Sequence, residues 1–527
     1  MGEKFQQNEF TGTFSFSIPL RLTPSRDCSP ELYLSYSSGE GNGIFGLGFH
    51  LSLPTISRKT AKGIPHYDDS DIFQLSHADD LVRQPEQGER HTVRAGEDTY
   101  HVTKYRPRVV DAYDKIERWV NIATGSTHWR VTDREQFVQL FGKTEQARIS
   151  DPDDPARIYQ WLLEEAFDSK GNHISYDYES DIVSSKTSAH QDEKRIPSAN
   201  KYISRIRYGN KVPYQEGESL PDAYHFEVVF DYGSSADARP LISFANRPPV
   251  AYRNDSFSQY HAGFEVRTSR LCRKMWLFHH FEALDRDPLP VQSYTFSYEQ
   301  ASTVSLLSSV ELTGFRWANG EYAQESLPPL LLNYSRFEPT AQTFQPLRAL
   351  DLAALPAMGH DSSAELIDLY GEGIPGILYQ DEVSALYLEP ILAQDEQGSD
   401  IVAYARPKEL PTFPAANHVP SSSQQLMDLA GNGELALVIG TLSEAGYFAS
   451  GPNKTWRPWK PFASFTNAFF QDGHALVDLT GDGLADLVHI DQETITYYPS
   501  KGTEGFGEPV RVWRRSDLPL PRQETKT

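Results

Sequence analysis

The chain is predicted to be all-β, and three observations carry that reading. Apolar and polar residues alternate with a period of two through much of the first two thirds. Gly and Pro, 35 of each, punctuate the chain at short intervals, as many short strands joined by turns require. A turn-forming motif also repeats three times toward the end. The composition agrees, with 27 Tyr and 28 Phe to populate strands and only 4 Met. At 527 residues the chain exceeds one ordinary core, so two or more domains are expected.

The alternation begins with Phe14, Phe16 and Ile18 and continues with Leu32, Leu34 and Tyr36. Ile174, Tyr176 and Tyr178 follow, then Phe226, Val228, Phe230 and Tyr232, then Tyr294, Phe296 and Tyr298. Residues of equal parity share one face of a strand, so each set marks a face turned to a core. Trp161 to Phe167 is the best short helical candidate and fits a strand equally well. A polar, Pro-bearing stretch after Tyr334 marks a boundary. This gives a multi-stranded, shell-like β domain over 1–335 and a linker over 336–346.

Beyond the linker the repeat appears. Ile367-Asp368-Leu369-Tyr370-Gly371-Glu372-Gly373 recurs as Met427-Asp428-Leu429-Ala430-Gly431-Asn432-Gly433 and as Val477-Asp478-Leu479-Thr480-Gly481-Asp482-Gly483. Each copy precedes an apolar strand, and the intervals of 60 and 50 residues suit one four-stranded blade apiece. The Asp carboxylate can accept backbone N–H bonds from its own loop, and the glycines supply positive φ. Residues 347–509 are therefore expected to form three blades of an incomplete propeller ring. Residues 510–527, with Pro519, Pro521 and Lys526, form a polar tail. The turns resemble the FG-GAP (VCBS) repeats of β-propellers, including Phe506-Gly507, and in that family such turns often bind calcium. By that resemblance the third copy is the one with enough oxygens, with Asp478, Asp482 and Asp486 as the candidate ligands, since calcium takes six to eight. A purely structural turn is the simpler expectation for all three, and no other cofactor is implied.

Charge and composition exclude several functions. With 49 Lys and Arg against 72 Asp and Glu, the net charge of −23 disfavours nucleic acid, whose phosphates need a basic face. It favours a basic partner. No run of 18 apolar residues exists to span a membrane. Met1 to Phe10 lacks the apolar core of a signal peptide. If the protein leaves the cell, it is expected to do so without an ordinary cleaved signal. Cys28 and Cys272 are read as buried free thiols.

Local motifs give chemistry no foothold. Gly41-Asn42-Gly43-Ile44-Phe45-Gly46 matches a dinucleotide fingerprint, but a strand-like, Pro-ended run follows where a helix is needed, so a glycine corner is the better account. Asp68, Asp69 and Asp71 read as an Asx-rich turn. Adjacent His279 and His280 point to opposite faces of a strand and cannot share a metal. Glu216-Gly217-Glu218 matches the acidic loop of ADP-ribosyltransferases but sits in a polar loop without the usual companions. No enzymatic activity is expected.

A family resemblance rests on Gly12 to Pro19, Pro30 to Gly39, Gly41 to Phe49, Leu53 to Arg58 and Lys62 to Asp71. Tyr105 to Arg108, His128 to Val131, Gly263 to Thr268 and Leu271 to Arg273 extend it. In this order they resemble the SpvB/TcaC-type N-terminal domain shared by insecticidal toxin-complex B subunits and the Salmonella virulence-plasmid B protein. Phe167-Asp168-x-x-Gly171-Asn172 also resembles an Rhs-type repeat. The resemblance implies assembly without chemistry, by a protein made in the bacterial cytoplasm and secreted without a recognisable signal peptide. The family's B subunit forms part of a shell and a propeller that docks on a pore-forming A subunit. A C-type Rhs subunit completes the shell around the toxic cargo. Full B subunits continue beyond the region matched here, so an N-terminal part or shortened homologue is expected. The alternative is a stand-alone secreted recognition module that binds a host surface ligand.

Overall fold

In the computed structural model, the described residues are 4–7, 13–61, 63–76, 80–84, 91–108, 114–181, 199–233, 241, 243–284, 286–300, 304–334, 348–349, 364–371, 373–380, 385–394, 398, 400–410, 413–414, 424–441, 445–451, 455–466, 474–491 and 493–513. The linker 336–346, Glu372 and tail residues 514–527 lie outside them. Among the described residues the regular structure is strand, with short 3-10 turns and no α-helix. The chain divides into two compact units, residues 1–60 with 65–335 and residues 61–64 with 336–527.

Unit 1 is built on one antiparallel sheet that closes on itself. Strands Thr55–Arg58, Phe73–Leu75, Asp80–Arg83, Asp98–Pro107, Lys115–Asn121, Thr127–Thr132, Val138–Phe141 and Ile158–Phe167 pair in that order. Leu162 then pairs with Thr55, closing an eight-stranded barrel. A barrel of that size is filled by its own side chains. Here Phe73, Tyr105, Trp129 and Trp161 fill it, with ring centroids 4.9 to 6.0 Å apart. The Arg58 guanidinium lies 5.0 Å from the Phe73 ring and pairs with Asp71. Trp161 to Phe167 thus resolves as strand.

From the barrel the sheet runs on through His173–Ser180, Lys201–Asn210, Tyr224–Asp231, Lys274–His279, Leu289–Gln300, Ser305–Ala318 and Glu321–Ser326. Both faces of Tyr224–Asp231 are buried, because Val228 and Phe230 join the main core while Val229 packs with Trp276 and Phe278. Simple alternation marks only one of those faces. Cys28 and Cys272 are buried and unpaired, and burial pushes the Cys28 thiol up to about 11.

Unit 2 contains three similar antiparallel sheets. The first is Ala364–Ile367, Gly376–Gln380, Ala385–Leu388 and Lys408–Glu409. The second is Gln424–Met427, Ala436–Gly440 and Ala445–Gly451, with Thr455–Trp456 and Lys460–Pro461 pairing on its third strand. The third is His474–Val477, Asp486–Ile490, Thr494–Tyr498 and Val510–Trp513, so residues 510–513, expected as the start of the polar tail, instead add a strand whose Val510 and Val512 lie opposite Tyr497 and Ile495. A smaller sheet of Arg348–Ala349, Asp400–Tyr404 and Pro390–Gln394, absent from the sequence reading, packs Tyr404 against Ile377 and Leu388 of the first sheet.

Candidate functional site

Each Asp/Gly motif joins the first two strands of one sheet. Asp428 Oδ1 accepts N–H bonds from Ala430, Gly431 and Asn432, and its Oδ2 accepts one from Gly433. Asp478 repeats this with Gly481, Asp482 and Gly483, and Asp368 Oδ2 accepts from Gly373. Both motif glycines in every copy have φ between 66° and 85°, which a Cβ would strain. The motif is a self-satisfied turn.

The calcium candidates are engaged in the same way. Asp482 Oδ1 accepts the Leu484 N–H. Asp486 is fully buried; its Oδ2 accepts from Leu479 and Thr480, and its Oδ1 from Ser500. Asp486 therefore ties the third turn to the end of the third strand. Calcium needs a cage of six to eight oxygens, and these carboxylates are turned toward amides. The arrangement fits a turn better than a calcium cage.

The three sheets are related more deeply than by the motif. Ten residues after each motif Asp stands an apolar residue, Leu378, Val438 or Val488, and nineteen after it a tyrosine, Tyr387, Tyr447 or Tyr497. Each such pair sits directly opposite across two strands. In the first sheet this face packs on Leu426, Leu435 and Trp456 of the second. In the second it packs on Leu476 and Ala485 of the third. Among the described residues no further sheet covers the same face of the third, where Val488 is buried but the residues around it are open. Leu369 and Leu429 are 2% and 3% exposed, whereas Leu479 is 43% exposed. Met427 is 7% exposed and Val477 50%. Ile490, Val510 and Val512 extend this open apolar face by strand register. The constant spacing of the tyrosines was available in the sequence and went unused; the exposure was not.

The other singled-out residues hold the fold together. The Gly41 to Gly46 corner is a hairpin of Asn42–Gly43 with Gly46–Leu47, followed by a strand. A Cβ on Gly46 would fall 2.6 Å from the Ser305 carbonyl oxygen, so the corner depends on glycine there. The buried pair Arg253–Asp255 fastens it, since Arg253 donates to the Gly43 carbonyl and the Asn42 side chain. Asp71 accepts the His66 and Tyr67 N–H groups, and Asp69 pairs with Arg118. His66, Asp68 and Asp71 come within 4.8 Å of one another, but Asp71 is already committed to Arg58. His279 bonds Thr23, whereas His280 lies between Glu227 and Asp287, so the two histidines are separated. Glu216 forms an exposed pair with Arg130.

Comparisons place these features among known proteins. The sequence model of the Salmonella virulence plasmid 65kDa B protein, SpvB, matches residues 8–281. The mono(ADP-ribosyl)transferases SpvB of Salmonella typhimurium and Salmonella dublin are 35% identical over 294 residues, covering 53% of this chain and 50% of theirs. The chain thus spans about half the length of these relatives. The structure of the SpvB N-terminal domain from S. typhimurium strain LT2 is 32% identical, with 57% of this chain and 98% of that one covered and a TM-score of 0.54. The Photorhabdus luminescens Tc holotoxin pore matches 99% of this chain over 24% of its own, at 30% identity and a TM-score of 0.85. TcdB2–TccC3 matches 99% over 30%, at 25% identity and a TM-score of 0.69.

Proposed function

The chain belongs to the SpvB family, and from that premise we propose that it is a non-enzymatic B-type component of a bacterial toxin complex. Unit 1 contributes to a shell. Unit 2 is an open arc of three propeller blades that docks on a pore-forming A subunit. A C-type, Rhs-like subunit supplies the cargo and closes the shell, and the assembly acts after secretion.

The observation that carries this reading is the match to the Tc holotoxin, which extends over 99% of the chain and so spans both units. The relatives named as ADP-ribosyltransferases are matched over half their length, and the SpvB N-terminal domain structure is covered almost completely. That division favours a structural role for the shared region. The face of the third sheet that no further sheet covers among the described residues supports an arc completed by further β-structure, because a closed ring buries such faces.

The direct test is co-purification. The chain, alone and with a C-type subunit, is mixed with a Tc A-type subunit and separated by size. Association supports docking, and failure under both conditions overturns it. Transfer of ADP-ribose by the purified chain would overturn the non-enzymatic assignment.

A further inference from the structure

In unit 1 the ends of strands His173–Ser180 and Tyr224–Asp231 meet a 3-10 turn, Phe244–Asn246, around a cavity of about 260 Å³. Glu179, Asp231, Tyr232, Phe244, Arg247 and Val250 line it. Five other acidic side chains of this unit are buried, and each has a cation. Glu117 pairs with Lys115, Asp151 with Arg157, Glu165 with Lys143, Glu227 with Arg205 and Asp255 with Arg253. Asp231 is equally buried and has no ion pair among the described residues. Its Oδ1 accepts the Gly233 N–H, and the neighbouring Trp276 indole N–H pulls on it without forming a hydrogen bond of normal geometry.

The cations around it are directed elsewhere. Arg247 donates to Glu179 and to the Phe244 carbonyl and lies 3.8 Å from the Phe244 ring centre. Arg270 also faces Glu179. Lys274 is opposite Asp231 in strand register, and its ammonium lies over the Trp276 ring at 5.4 Å. A buried carboxylate without a counter-charge is costly, and such an exception calls for a partner. Burial raises the Asp231 carboxyl above its ordinary range, against the opposing pull of Gly233, Arg247, Lys274 and the Trp276 indole.

We propose that this cavity is a binding site for a primary ammonium side chain, a lysine presented by a partner polypeptide. Its amine meets Asp231, and its aliphatic stem runs along Phe244, Pro248 and Val250. The cavity is several times the roughly 30 Å³ share of one water, enough for a four-carbon stem ending in nitrogen. A guanidinium suits it less well, because Glu179, the other lining carboxylate, is already engaged by Arg247 and Arg270, which leaves five donors with Asp231 as their charged acceptor. The net charge of −23 attracts basic partners to the surface in the first place.

Calorimetric titration of the full chain with Nα-acetyl-lysine amide tests this, with the norleucine and arginine analogues as controls. Saturable binding of the lysine probe alone is expected, weakened by at least about tenfold in Asp231→Asn. Val250→Phe fills the cavity while leaving the carboxylate, and should also lose the probe. Melting curves establish that each variant is folded; if Asp231→Asn is not, Val250→Phe decides. Equal binding of either analogue, no saturable binding, or full binding by a folded variant would overturn the proposal.

Discussion

Replacing Asp255 by alanine removes the acceptor for five hydrogen bonds at once. Arg253 donates to it through Nε and Nη2, Ser305 through its N–H and hydroxyl, and Asn42 through its amide. Arg253 and Asp255 have side chains 0% and 2% exposed, so water does not replace what is lost. Breaking a buried pair from one side costs about 3–5 kcal/mol. Unfolding entropy of about 2.1 cal/mol/K per residue over a unit of roughly 330 residues gives about 0.7 kcal/mol/K. The unit 1 transition should therefore fall by about 4–7 °C, read by calorimetry at pH 7. The double variant Arg253→Met/Asp255→Leu leaves no orphaned charge and should lose less than half as much. Arg253, Ser305 and Asn42 hold the Asp255 carboxyl well below the usual range, despite the opposing effect of burial. Its contribution is thus complete above the unfolded value of about 3.9 and fades as pH falls below it. The deficit of Asp255→Ala should be constant from pH 5 to 7 and shrink below pH 4. A single variant that loses less than about 1 kcal/mol, or a double variant no better than the single, would refute the reasoning.

Leu429→Ala should cost unit 2 about 2–5 kcal/mol, whereas Leu479→Ala should cost under about 1 kcal/mol in the isolated chain, as denaturant unfolding would establish. Because the third-turn carboxylates face amides, melting with excess calcium and with chelator should coincide; a stabilisation of several degrees by calcium would assign Asp478, Asp482 and Asp486 to a metal. Both His280 ring nitrogens face carboxylates, Glu227 and Asp287, which raise its pKa against the opposing effect of burial. The stability it adds is complete below the unfolded value near 6.5 and is lost as pH rises through the folded value, so His280→Gln should narrow its gap to the parent on going from pH 6 to pH 9.

The parts of this fold that were legible in the sequence are those set by neighbouring residues. Period-two runs such as Leu32 to Tyr36 gave strands, and the Asp/Gly copies gave the three strand-joining turns. What depends on distant pairing was not legible. The barrel closes through Trp161 opposite Ile56 and Tyr105 opposite Arg83, and no local pattern encodes such partners. The glycine corner was recognised as a corner, yet its fastening by Arg253 and Asp255 comes from about 210 residues away. Asp486 illustrates the limit for the candidate site. Its position in the motif is what makes it a calcium candidate, whereas its burial and its bond to Ser500 come from the tertiary fold. Asp231 carries no sequence signal, because a buried carboxyl without an ion pair among the described residues is defined by its tertiary surroundings.

Hydrogen exchange of unit 2 in the presence of its assembly partners tests the central claim most directly. The account predicts that the outer strands His474–Val477 and Val510–Trp513, each paired on one side among the described residues, exchange faster than the inner strand Asp486–Ile490 in the isolated chain and become protected when A-type and C-type subunits are added. The already covered strand Ala436–Gly440 should change little. Association that leaves these segments exposed, or strong protection of them in the isolated monomer, would contradict an open arc completed on assembly.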